Sequence, residues 1–340
     1  MNKHKYPYKW YLKDGYPKTN GLKVFGTFIC GGGSTMGYKL AGFEHLGGVE
    51  IDPKIADVYK VNHKPKYLYV EDIRKFTKRN DLPKELFNLD LLDGSPPCSS
   101  FSMAGNREKD WGKKKVFKEG QALQTLDDLF FDYIALAKKL QPKVVLAENV
   151  KGLIQGNAKN YVHKIKAGFE DAGYKVQLFL LNAASMGVPQ KRERVFFICQ
   201  RNDLNLPKLV LKFNERAINY NQIQDTFDKK KNITQYQESY WSKCNDGENF
   251  AKYHPKGNSF CYMKVHRNKP TPTLQTKGDS FFHYDIPRQL NIKEWQLAGS
   301  YPLDYNFKAI QPKYLIGMSV PPIMTAQIAN QIYLQWFKQQ

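Results

Sequence analysis

Cysteine is scarce in this 340-residue chain: Cys30, Cys98, Cys199, Cys244 and Cys261, with no C-x-x-C pair. An odd count without paired spacing argues against a disulfide framework and a structural zinc site, so no metal is expected. It suits a reducing, cytoplasmic setting, where a free cysteine is usually a small buried hydrophobe. No apolar run reaches the roughly 18 residues that a membrane-spanning helix needs. The stretch Met1 to Lys13 is basic and aromatic and has no apolar signal core, which argues against secretion. Acidic residues are also short, 32 against 52 Lys and Arg, leaving a formal net charge of +20. Such an excess suits a polyanionic partner, nucleic acid first. With 41% hydrophobic and 14% aromatic residues, the chain is not a disordered basic tail. It has no internal repeat and no low-complexity linker, and at ~150 residues per domain its length suggests about two domains.

Residues 24 to 200 alternate short apolar runs with helix-like stretches. The runs are Val24–Phe28, Gly48–Ile51, Leu89–Asp93, Lys143–Ala147, Val176–Leu181 and Val195–Cys199. Apolar residues at 126, 129, 130, 133, 136, 137 and 140 predict a helix over Thr125–Leu140. This alternation predicts a mostly parallel sheet covered by helices, with ligands beyond the carboxyl ends of the strands. From 201 to 284 periodicity is poor and 14 basic residues face 8 acidic ones. That stretch reads as a second, smaller and irregular domain. Helical pattern returns at Ile292–Leu297 and Met324–Phe337.

Four segments carry chemistry. Phe28-Ile-Cys-Gly-Gly-Gly-Ser34 joins a strand to a helix, where glycines let a ligand approach the backbone and the helix start offers free N–H groups. Glu50, about 20 residues on, suits ribose hydroxyls. Together they describe a nucleoside cofactor site without choosing between a dinucleotide and S-adenosylmethionine. Asp72 could accept from an adenine amino group, although alone it reads more readily as a helix cap. In Leu89-Asp-Leu-Leu-Asp-Gly-Ser-Pro-Pro-Cys98 an apolar strand ends, two prolines stiffen the turn, and Cys98 sits at its tip as a nucleophile would. The basic loop Met103 to Lys118 that follows suits a phosphate-tracking lid better than a merely solvated loop. Glu148 and Asn149 close another buried run, where a charge needs a partner or a catalytic task. In extended structure Gln190, Arg192 and Arg194 share a face, and two guanidinium forks suit phosphate or carbonyl recognition. An exposed charged strand is the plainer alternative.

In this order the segments resemble the cytosine-5 DNA methyltransferases of prokaryotic or phage restriction-modification systems. The resemblance rests on the Phe28 turn, Glu50-x-Asp52, Asp72-Ile73, Pro96-Pro-Cys-x-x-Phe-Ser102, Glu148-Asn-Val150 and Gln190-x-Arg-x-Arg194. It extends through Asn182 to Gln190, Arg288-Gln-Leu with Glu294, Tyr301-Pro with Asp304 and Phe307, and Gly317-Met-Ser-Val-Pro-Pro322. It covers about 24–200 and 286–338. It implies an α/β fold: a Rossmann-like, mixed seven-stranded methyltransferase sheet with the C-terminal segment returning beside the first motif. The catalytic domain would be 1–200 with 285–340, and 201–284 the target recognition domain. The implied cofactor is S-adenosyl-L-methionine, leaving as S-adenosyl-L-homocysteine. Phe28, Gly32, Gly33, Glu50, Ile51, Asp72, Ile73, Pro97, Leu129, Ser319 and Val320 would surround it. Cys98 would add to carbon 6 of a flipped-out cytosine, Glu148 would act at nitrogen 3, Arg194 would hold the base, and Arg192 would support the site.

The implied partners are double-stranded DNA and, within such a system, a cognate restriction endonuclease sharing the target; the enzyme would act as a monomer away from membranes. Two positions depart from the family pattern: Cys30 stands where glycine is usual, and Met318 where asparagine is usual. Three other readings compete with this one. A tRNA-modifying branch resembles the DNA enzymes, but its Cys-Phe-Thr signature is absent. A non-catalytic DNA-binding relative would not need the intact Pro-Pro-Cys and Glu-Asn-Val segments. A nicotinamide dehydrogenase would not need Cys98 or Gln190–Arg194.

Overall fold

The computed structural model describes residues 4–97, 129–155, 159–257 and 262–338. Strands and helices alternate in the first half: β1 (Lys23–Thr27), α1 (Gly33–Leu40), β2 (Glu44–Glu50), α2 (Pro53–His63), β3 (Tyr67–Val70), α3 (Ile73–Lys78) and β4 (Leu91–Gly94). They are followed by α4 (Leu129–Leu140), β5 (Val144–Val150), α5 (Lys159–Asp171), β6 (Tyr174–Asn182) and β7 (Glu193–Arg201). The seven strands form one sheet in the order β3-β2-β1-β4-β5-β7-β6. Strands β1 to β5 pair in parallel, whereas β7 runs antiparallel to β5. The sheet is therefore mixed and seven-stranded, as the motif order implied.

The central apolar runs became strands because covered strands are buried on both faces, whereas Val176–Leu181 lies in the edge strand β6, with Leu178 and Leu180 exposed. Leu91, Leu92, Val144, Val145, Ala147 and the run Val195 to Cys199 are all buried. Cys199 is the small buried hydrophobe expected of a free cysteine. The predicted helix over Thr125–Leu140 is described from Leu129, and residues 125–128 lie outside the described residues. Its apolar stripe covers the sheet: Phe130 meets the rings of Phe169 and Phe197 edge-on. The Tyr133 hydroxyl donates to the carbonyls of Leu92 and Leu146 at 2.9 and 2.8 Å. Two helix starts that flank the site are capped by carboxylates at strand ends. Asp52 accepts from Lys54 N and Ile55 N ahead of Pro53, and Asp72 accepts from Arg74 N.

The chain divides into two compact units. The sheet unit comprises Tyr16–Leu181, Glu193–Lys212 and Thr325–Gln340; the other comprises Met1–Gly15, Asn182–Arg192 and Phe213–Met324. The second unit is irregular. Its regular pieces are α6 (Gln235–Trp241), the two-stranded parallel pair β8 (Met263–Lys264) and β9 (Phe281–Phe282), α7 (Ile292–Ala298) and α8 (Pro312–Met318). Helix α9 (Pro322–Ile332) begins in this unit and ends in the sheet unit. The chain's end is tied to the sheet unit by Trp336 Nε1, which donates to Pro207 O at 2.8 Å.

Two devices hold the second unit together in place of long elements. One is a small cluster of Ile233, Cys244, Phe250 and Phe282. The other is a fully buried ion pair in which both Nη atoms of Arg288 donate to Glu294, at 2.7 and 2.8 Å. Glu294 also accepts from Tyr220 Oη and from the backbone amides of Asp225 and Asn291. Removing one partner of such a pair strands a buried charge, which costs several kcal/mol. Glu294→Gln should therefore lower the unfolding free energy by about 3 kcal/mol or more in urea titrations. A loss below about 1 kcal/mol would show that the network is not a keystone.

Candidate active site

The turn after β1 takes three left-handed backbone positions, Phe28 (φ 53°), Cys30 (φ 46°) and Gly32 (φ 77°), before α1 begins at Gly33. Only glycine reaches that region freely, so Phe28 and Cys30 are held there by their surroundings. Cys30, the first departure from the family pattern, thus carries a side chain at a glycine-like conformation. Its amide donates to Glu50 Oε2 at 2.9 Å. A Cβ on Gly32 would lie 2.2 Å from His63 Nε2, so the turn has room for glycine alone. His63 Nε2 in turn donates to Gly31 O at 3.1 Å, bracing the turn from the end of α2. Burial drives the His63 pKa down to about 3, which keeps the ring neutral.

Glu50 ends β2 and is buried. Its other oxygen accepts from Asp52 N at 3.0 Å. Burial pushes its pKa up to about 7, against these backbone donors. A carboxylate has about four acceptor sites, and the amides of Cys30, Asp52 and Ile51 bond to Glu50, so it can still accept from a hydroxyl. Main-chain amides beside a buried acceptor suit a nucleoside with a charged tail, and the residues present fit S-adenosylmethionine. Ile51 and Ile73 follow β2 and β3. Asp72 caps α3 and is also gripped by the Arg74 guanidinium at 2.5 and 2.9 Å, which holds its carboxyl below the usual range.

Glu148, near the end of β5, is paired with Arg194 at the start of β7, Nε to Oε1 at 3.0 Å. Burial pulls the guanidinium's pKa down and the Glu148 charge opposes that pull. Next to it, Asn149 Nδ2 donates to Pro96 O at 3.1 Å. The strand end carrying Glu148 therefore also holds the Pro96–Pro97 segment. Cys98 and the basic loop of residues 103–118 lie outside the described residues. Leu129 is buried at the first turn of α4.

The other predicted site residues belong to the second unit. Arg192 is buried, and its guanidinium donates to Leu274 O and Gly317 O at 3.1 and 3.2 Å. Gln190 accepts from Leu274 N and donates to Ala298 O. Strand β7 begins only at Glu193, so Gln190 and Arg192 anchor the 271–274 stretch, whereas Arg194 alone reaches Glu148. A Cβ on Gly317 would lie 2.6 Å from the backbone of Gln275, so that position requires glycine. Met318, the second departure, is half-buried at the end of α8. Ser319 Oγ meets Tyr301 Oη at 2.5 Å and donates to Leu315 O, and Val320 is buried beside it. Among the described residues no cluster of His, Cys, Asp or Glu could hold a metal, and no helix is long and apolar enough to cross a membrane.

Sequence reasoning missed Asp93. It closes an apolar run just as Glu148 does, but Cys98 drew attention past it. Asp93 is buried and accepts from Tyr38 Oη at 3.1 Å. Burial raises its pKa to about 7; the negative charge of Glu148 adds to this, and hydroxyls of Tyr38 and Ser34 oppose it. A carboxyl whose folded pKa is raised binds extra protons in the folded state, so its cost is absent below pH ~4 and complete above pH ~7. Asp93→Asn should therefore raise the melting temperature relative to wild type at pH 8, with the gain vanishing towards pH 4. A gain or loss independent of pH would contradict this assignment.

Residues 22–334 match the family described as C-5 cytosine-specific DNA methylase. Type II methyltransferase M.NgoPII of Neisseria gonorrhoeae is 38% identical over 200 residues, covering 57% of this chain and 53% of that protein. The chain thus spans about half the length of that curated relative. Type II methyltransferase M1.HphI of Haemophilus parahaemolyticus is 27% identical over 347 residues, covering 96% and 91%. A solved prophage-encoded protein from E. coli shares the fold, with a TM-score of 0.69 at 20% identity over 93% of this chain and 99% of that one. The family's chemistry is S-adenosylmethionine-dependent methyl transfer. The chain belongs to the C-5 cytosine-specific DNA methylase family.

Proposed function

We propose that this protein is a sequence-specific DNA (cytosine-5)-methyltransferase. The observation that carries the reading is the buried Glu148–Arg194 pair beside the Asn149-held Pro96–Pro97 segment that leads directly to Cys98. Cytosine is a poor electrophile at carbon 6. Glu148 holds a proton at ring nitrogen 3 and so draws electron density from the ring. The Cys98 thiolate adds at carbon 6 and makes carbon 5 nucleophilic. Bound S-adenosylmethionine supplies an electrophilic methyl group at its sulfonium. After transfer, carbon 5 loses its proton and the Cys98–carbon 6 bond breaks. Arg194 balances the charge of Glu148 and orients the base, while Arg192 acts as a positioning residue through Leu274 and Gly317. Glu50 holds the ribose hydroxyls, and the amides of the Phe28–Gly33 turn hold the charged tail. Asp72, Ile73, Pro97 and Leu129 complete the cofactor's surroundings within the sheet unit. A base within a duplex cannot reach a buried centre, so the target flips out at a cost of a few kcal/mol. Residues 201–284, with their basic excess, serve target recognition and help to offset that cost.

Methyl-labelled S-adenosylmethionine incubated with unmethylated duplex DNA should place label on one cytosine within a recurring short sequence. Cys98→Ala should abolish the label, and Glu148→Gln should slow transfer by at least 100-fold, the usual scale of a lost acid-base group, while changing DNA affinity far less. Label in tRNA alone would overturn the DNA reading. Cofactor affinity should also depend on pH. The ionised form of Glu50 is the better hydroxyl acceptor, so the dissociation constant should rise as pH falls below about 7. Glu50→Gln should flatten this dependence in calorimetric titrations; an unaltered pH profile would remove Glu50 from the cofactor site.

A further inference from the structure

One exposed side chain stands apart from the rest. Phe227 is 89% exposed, against 52% for Val210, the next most exposed large hydrophobic residue among those described. It sits at the tip of a turn in the second unit, where Asp228 N donates to Asp225 O. The next three residues are Lys229, Lys230 and Lys231. Lys231 is paired with Glu238. Lys229 and Lys230 are exposed, and no ion pair to either is found among the described residues.

The turn is firmly rooted. Asp225 N donates to Glu294 Oε1 at 2.9 Å, and Arg288 Nη2 approaches Asp225 O at 3.5 Å. Asn291 Nδ2 donates to Asp228 Oδ2 at 3.0 Å and reaches Asp225 Oδ2 at 3.3 Å. On the far side, Asn232 Oδ1 accepts from Gln289 N at 2.8 Å. Both acidic residues of the turn are thus engaged from its base: Asp225 also faces Lys293 and Asp228 also faces Arg288. What remains outward is an aromatic ring followed by two uncompensated cations.

An exposed phenylalanine gains nothing in water. Placed on a pre-ordered tip, it gives up little conformational entropy when a partner covers it. A ring with two cations close behind it is complementary to a polymer that offers flat apolar faces between phosphates. We propose that the 225–232 tip is a DNA contact in which Phe227 wedges against the bases and Lys229 and Lys230 hold adjacent phosphates. The inference rests on the DNA-methylating reading above and adds the element that grips the duplex.

The test is fluorescence anisotropy of the full chain with a labelled duplex across a potassium chloride series. Phe227→Ala should weaken binding on the order of tenfold or more with an unchanged salt slope, since a base–aromatic contact carries little charge. Phe227→Tyr should restore affinity, which a purely structural role would not require. The double variant Lys229→Gln, Lys230→Gln should reduce the slope of log K against log salt by about 1.8, roughly 0.9 for each lost phosphate contact. If wild type binds and methylates the duplex while Phe227→Ala binds within twofold of it, the tip inference is overturned and the methyltransferase reading stands. If wild type binds no duplex, both are overturned. If Phe227→Ala instead dissociates an oligomer in sedimentation, the tip is a protein contact and the inference is again overturned.

Discussion

A buried carboxylate and guanidinium, Glu148 and Arg194, meet because one strand of the sheet runs backwards. In a parallel sheet the carboxyl ends of all strands lie along one edge and their starts along the other. Strand β7 is antiparallel to β5, so its first residues lie against the last residues of β5: Val150 opposes Arg194. Only that reversal brings a residue from the start of β7 to the edge where Glu148 ends its run. Taking two charges from water is costly, and attraction at 3.0 Å offsets the cost only while both partners remain. The pair also keeps two reactive polar groups ordered beside the segment that leads to Cys98.

The same edge carries two further buried carboxylates, Glu50 at the end of β2 and Asp93 near the end of β4. Burial raises both to about pH 7. Each is held by donors from the turn or helix above it: Cys30 N and Asp52 N for Glu50, and Tyr38 Oη for Asp93. Helix α1 therefore links the two carboxylates of the edge. Its leading turn faces Glu50, and its body reaches the strand that runs on to Cys98. Strained backbone at Phe28 and Cys30 and protons shared near neutrality are costs a fold tolerates where function requires them.

Much of this was legible in the sequence, for a definite reason. Covered parallel strands must be continuously apolar, so a charged residue closing such a run marks the carboxyl edge of the sheet; Glu148 is legible in that way, and Glu50 through its spacing from the glycine turn. Asp93 carried the same signal and was passed over. His63 and Tyr38 carried no signal, because their partners are distant in the chain and only the fold defines them. The period-two reading of Gln190, Arg192 and Arg194 assumed a strand throughout. The strand begins at Glu193, so the first two bond to Leu274 while the third turns to Glu148. Cys30 was legible as a departure, but its left-handed backbone was not.

The proposed chemistry turns on covalent attack by Cys98 on cytosine carbon 6. Duplex DNA prepared with 5-fluorocytosine in place of cytosine tests it directly, because fluorine at carbon 5 cannot leave as a proton does. With S-adenosylmethionine present, the wild-type protein should form a complex with this DNA that survives denaturing gel electrophoresis, and Cys98→Ala should form none. A wild-type protein that methylates ordinary duplex yet yields no denaturant-stable complex with the fluorinated one would contradict attack through Cys98.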